Sequence, residues 1–172
     1  MARGTDDQLL LPVNPLFLWS SIFAALVFNM LPLGRVPAMP DMLALVLVFW
    51  NVHQPRRVGI GAAFFFGLLM DVHQGAVLGQ HAEAYTLLGF LAITMHRRLL
   101  WFSLAEQALQ LLPVFILAHA VSLVVRLLSS GSFPGWTLLL APPIEALLWP
   151  VVSFVLLAPQ RRAPDRDEQR PL

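Results

Sequence analysis

A chain of 172 residues that is 58% hydrophobic and 12% charged, with a mean hydropathy of +0.71, carries more apolar surface than a soluble domain of this size can bury. The formal net charge is only +1, and all 11 basic residues are arginine, clustered mostly in pairs between apolar runs; this reads as membrane topology and excludes a nucleic-acid binder. Cysteine is absent, which excludes disulfides, thiolate chemistry and cysteine-based metal sites.

A spanning helix needs about 20 mostly apolar residues to cross a hydrocarbon core of about 30 Å, so the chain has room for five or six spans and for no extramembrane domain. The opening MARGTDDQ leads into an apolar run without a small-residue cleavage site. The first span is therefore expected to be retained rather than removed as a signal peptide. Pro12 and Pro15 pre-set the start of this helix, read as residues 16–33, with Trp19 near an interface and a stop at Pro32 and the turn 34–37. The second run, residues 39–52, is only about 21 Å long at helical rise. A crossing with little tilt, a start within the interface, and a partial span all fit that length. Pro55 stops it, and Arg56 and Arg57 anchor the turn among headgroups.

The third run, residues 58–72, carries Gly59, Ala63 and Gly67 at a spacing of four, which puts three small residues on one helical face that another helix can approach closely. Gly75 breaks the chain after Asp71. The fourth run, residues 76–95, contains Gly79, His81, Glu83 and Gly89 and closes on His96, Arg97 and Arg98. Residues 99–128 would reach about 45 Å if wholly helical. The amphipathic opening WFSLAEQALQ is expected to lie at the interface, leaving a span over 103–128 with a kink at Pro113. SSGSFPG is a turn by composition. The last run, residues 136–157, is interrupted by Pro142, Pro143 and Pro150, and the tail 159–172 is polar and expected to be disordered. Residues 1–158 thus form a single integral membrane domain of six spans, an all-α polytopic protein.

With six spans in alternation, Arg3, Arg56, Arg57, Arg97, Arg98, Arg161, Arg162, Arg166 and Arg170 fall on one side, and Arg35 and Arg126 on the other. The positive-inside rule then puts both termini in the cytoplasm, and Asp71 at the opposite surface.

An ionisable group within a span costs at least about 2.5–3.5 kcal/mol on insertion scales, so each one calls for a partner or a purpose. Asp41 and Asp71 fall near the non-cytoplasmic ends of their runs. Each is either a helix-end carboxylate close to water or a partner contact, and Arg126 at the same surface could pair with either. Glu83 and Glu145 are the buried-polar candidates. Glu145 is the costlier, and a hydrogen bond to unwound backbone beside Pro142 and Pro143 is expected to hold it. Asp71, His73, His81 and Glu83 could in principle hold a metal, but no helical ligand pair is present and none is assigned. Ser122 near His119 lacks the glycine setting of a nucleophile, so neither an enzyme nor a cofactor is expected.

Several motifs stand in a fixed order. They are a proline-led run ending in Trp50 ahead of the PRRVGIG turn, the FFFGLLMD segment ending in Asp71, the stretch from Gly75 to Tyr85 containing LGQHA, and the His96-Arg97-Arg98 stop. In this order and spacing they resemble the rod shape-determining protein MreD family of proteobacteria, over about residues 15–158. The resemblance implies a multi-pass bacterial inner-membrane subunit of the cell-elongation machinery. It would associate directly with MreC, and through it with MreB filaments, RodA and a class B penicillin-binding protein. It also implies a fold like the six-helix substrate-binding subunit of energy-coupling-factor transporters, and no catalytic residues. Two functions are weighed. The first is a scaffold that binds MreC through helix faces, with Gly59, Ala63, Gly67, Asp71, Gly75 and Gly79 as packing or contact candidates. The alternative is a subunit that binds a small molecule or lipid for transport, suggested by the interrupted last run with Glu145.

Overall fold

In a computed structural model, residues 13–31, 39–131, 133 and 135–160 are described. They form six α-helices and short 3₁₀ turns, and no strand occurs among them. The first helix, α1 (Pro15–Met30), opens with Pro15 in its first turn, where a missing N–H costs nothing, and Asn14 caps the amide of Leu16. It is followed by α2 (Met42–His53), α3 (Gly59–Gln74), α4 (Gln80–Leu99) and α5 (Leu104–Ser130). A 3₁₀ turn over Trp136–Leu140 leads into α6 (Ala141–Leu157).

The shortest of these, α2, is the axis of the bundle. Every residue from Leu43 to Val52 is buried, and α1, α4 and α6 pack around it. A helix buried on all sides has no amphipathic stripe, which is why this run is apolar throughout. Its 12 residues span about 18 Å. Phe49 and Trp50 at its lower turn meet each other edge-on, Phe49 also lies against Trp149 of α6, and the Trp50 indole donates to Ser21 of α1 at 2.8 Å. The buried indole therefore has the partner its N–H requires.

The other helices turn apolar side chains outward. Phe23 and Val27 of α1, Phe65 of α3, Phe90 of α4, Leu109 and Ile116 of α5, and Leu147 and Val151 of α6 are exposed, whereas α2 exposes no large apolar side chain. The ends of the helices are also sorted. Contacts join the start of α4 to the end of α3 and the second half of α5, and the start of α2 to the end of α1 and the start of α6. At the opposite end Arg57 donates to Val13, just before α1.

One sequence expectation needs correction here, that of an interrupted last run. Residues 104–130 are one helix, about 40 Å long, with Pro113 inside it on the exposed side and a capping box between Ser103 and Glu106 at its start. This helix covers the run expected over 103–128. The last run is likewise continuous from Ala141: Pro142 and Pro143 occupy the first turn, where an N–H is not needed, and only Pro150 lies in the interior. The expected turn at 34–37, Arg3, Arg35, Arg161, Arg162, Arg166, Arg170 and the end of the tail lie outside the described residues.

Candidate functional site

Two buried polar centres occupy the end of the bundle away from Arg56, Arg57, Arg97 and Arg98, all four of which are exposed. The first is the corner between α3 and α4. A Cβ added at Gly67 would stand 2.4 Å from the Ala82 Cα and 2.8 Å from the His81 carbonyl carbon, so only glycine permits this approach. One turn away on α3, Ala63 is buried, and its Cβ would lie 3.3 Å from a Cβ at Gly89. The chain reverses at Gly75, which is left-handed at φ 61°, and α4 starts behind Gly79 at φ 111°.

This close approach sets the Asp71 carboxylate against the first turn of α4. Oδ2 accepts from the Gly79 amide at 2.8 Å and the Ala82 amide at 3.3 Å; Oδ1 accepts from the His81 amide at 2.7 Å and lies 2.8 Å from His81 Nδ1. Asp71 on α3 thus caps α4, supplying an anion to amides that have no partner within their own helix. Its side chain is fully buried. The picture of Asp71 as a carboxylate close to water is corrected: α4 folds over it. His73 and Gly75, next to it in sequence, are exposed.

The second centre joins five helices. Asp41, the residue before α2, caps the Ala44 amide with Oδ1 at 2.9 Å and accepts from Asn29 Nδ2 of α1 at 2.6 Å. Its Oδ2 accepts a short hydrogen bond from the Tyr85 hydroxyl of α4. Asn29 Oδ1 in turn accepts from the Met42 amide at 3.2 Å. Glu145 of α6, 1% exposed, accepts from the Asp41 amide at 3.0 Å and lies 2.9 Å from His119 Nε2 of α5. The expected buried hydrogen bond to unwound backbone exists, but that backbone is the segment after Pro40, not the one at Pro142 and Pro143. Buried carboxylates with this many donors fix helices relative to one another, because breaking any one contact strands a polar group in an apolar surrounding.

The remaining candidates scatter. Gly59 is at the start of α3 with open space where a Cβ would stand, so the small-residue face narrows to Ala63 and Gly67. Glu83 is exposed, which corrects its assignment as a buried polar residue. Arg126 is exposed, and among the described residues no ion pair joins it to Asp41 or Asp71. Ser122 donates to the Gln80 carbonyl at 3.3 Å while His119 faces Glu145, so the two do not form a nucleophile and base. Among the described residues no group of three or more His, Cys, Asp or Glu is placed to hold a metal. Asn29 and Tyr85 were missed as site residues. Tyr85 is the only tyrosine in the chain, and Asp41 between a proline and an apolar run is a readable helix cap.

These features define an all-helical bundle, apolar on its outer faces and in its core, with two buried polar centres at one end, in which Leu104–Ser130 and Trp136–Gln160 are long and apolar enough to cross a membrane. Residues 10–158 match the family model for the rod shape-determining protein MreD, and the chain belongs to that family. The rod shape-determining protein MreD of Haemophilus influenzae is 33% identical over 135 residues, covering 76% of this chain and 80% of that one. No solved structure matches the chain.

Proposed function

We propose that this protein is a non-enzymatic scaffold subunit of the bacterial cell-elongation machinery, set in the inner membrane by six spans with both termini in the cytoplasm. In this reading it binds MreC directly and, within the same complex, links MreB filaments to peptidoglycan synthesis by RodA and a class B penicillin-binding protein. Family membership supports the role in rod shape. The observation that carries the scaffold reading is the filled interior. Phe49, Trp50, Trp149, Phe115 and Met70 are among the largest fully buried side chains, and the buried carboxylates are engaged by neighbouring helices. The outer faces, by contrast, are apolar and open to lipid or to other helices. The exposed Arg56-Arg57 and Arg97-Arg98 pairs at one end support the orientation.

The transport alternative leaned on an interrupted last helix, and α6 is continuous, with Glu145 engaged by His119 and Asp41. The likeness to the energy-coupling-factor subunit is what the family resemblance implies, and the six helices agree with it in number. Depletion tests the scaffold reading. Cells should lose rod shape and round up, and affinity purification of the full chain from membranes should recover MreC. Rods that persist after clean depletion overturn it.

A further inference from the structure

The outer side of the α3–α4 hairpin bears an open groove of about 370 Å³, lined by Ile60 and Phe64 of α3 and by Glu83, Thr86, Leu87 and Phe90 of α4. The two sets follow helical spacing, four apart on α3 and three, four and seven apart on α4. Each helix therefore presents one continuous face to the groove. The floor is fixed from behind, because the approach at Gly67 and Ala82 and at Ala63 and Gly89 locks the two helices together. Ile60, Phe64 and Phe90 are exposed although large and apolar. From Glu83 to Phe90 the groove runs about 10 Å, or two helical turns.

Glu83 is the feature that plain lipid does not account for. It is exposed on this face, and among the described residues no cation and no hydrogen-bond donor engages its carboxylate. The helix dipole favours an acid in the first turn of α4 but does not require one at the mouth of an apolar groove. A carboxylate bordering hydrocarbon is costly unless it is paired, and a helix that fills the groove would remove the remaining water from it. We propose that this groove seats a membrane-spanning helix of a partner protein, which lays an apolar face between Phe64 and Phe90 and carries a basic side chain level with Glu83. This rests on the scaffold reading, and it makes MreC's membrane helix the occupant to test.

The chain has no cysteine, so single cysteines report cleanly. Full-length protein with cysteine at Phe64 or Phe90 is co-expressed with MreC carrying a cysteine scan of its membrane helix, and membranes are oxidised. Ile116 on α5 and Leu147 on α6, both exposed, serve as control positions. Cross-linking from the groove positions, recurring every three to four residues along the partner, is expected at about tenfold the control level. Glu83→Gln should lower MreC recovery about tenfold without shifting the unfolding temperature. Glu83→Arg should abolish recovery, and exchange of the partner's basic residue for Glu should restore it. MreC that co-purifies but cross-links only at Ile116 or Leu147, or is recovered equally with Glu83→Arg, overturns the groove assignment alone. Cross-links between two copies of this chain at Phe64 or Phe90 overturn the choice of occupant. Failure to recover MreC with the parent chain overturns the scaffold reading itself.

Discussion

Gly67→Ala is the smallest change that separates the two halves of the α3–α4 corner. The added methyl would lie 2.4 Å from the Ala82 Cα, and ordinary contact begins at 3.4 Å, so the backbones must part by 1.0 Å or more. The atoms in the way belong to the first turn of α4, the segment that Asp71 caps. An opening of that size stretches the bonds from Asp71 to the Gly79 and His81 amides, now 2.8 and 2.7 Å, to about 3.7 Å, beyond hydrogen-bond range. Overpacking costs about 1–3 kcal/mol, and weakening hydrogen bonds to a charged group adds about 1.5–3 kcal/mol, so about 2.5–6 kcal/mol is expected in all. For a chain of this size that corresponds to a fall of roughly 5–24 °C in unfolding temperature. Tryptophan fluorescence of the detergent-purified protein measures it. Because the methyl acts by pulling α4 off its cap, Asp71→Asn should cost less than half as much in the Gly67→Ala background as in the parent. An unfolding temperature unchanged within error, or fully additive costs for the two substitutions, would refute this reasoning.

Three further outcomes bear on the interior and on orientation. Tyr85→Phe removes one donor from Asp41 and should cost about 1–3 kcal/mol in unfolding free energy. Glu145→Ala strands both His119 and the Asp41 amide, so it should cost more, about 3–5 kcal/mol, with Glu145→Gln recovering much of the loss; equal effects of Ala and Gln would mean that the hydrogen bonds at Glu145 contribute little. Alkaline phosphatase fused after Arg57 or after Arg98 should be inactive, and fused after Gly75 active, if α2 crosses despite its 12 residues. Activity after Arg57 would show that it does not.

The Glu83 and Glu145 positions illustrate how differently the sequence and the fold constrain a residue. Both are carboxylates in apolar runs, read alike as buried polar residues, with Glu145 the costlier to insert. One is exposed on a groove and the other is 1% exposed against His119 and Asp41. Gly59 and Gly67 differ in the same way. They share a face by periodicity, yet one has open space beside it and the other lies against the backbone of α4.

By itself the sequence determined the helical class and some of the helix limits. Pro15 and Gly75 act on the backbone within a residue or two of themselves, so their effects are local and readable. It also determined the apolar class, the arginine asymmetry and the family motifs. Which face of each helix turns inward was decided only by the tertiary structure. In a soluble helix a polar stripe marks the outside, but here both the core and the outer surface are apolar, so periodicity loses its sign. That is why Asp71 could be placed at the end of a helix from its surroundings in sequence, while its role as the cap of the next helix depended on α4 folding back across Gly67.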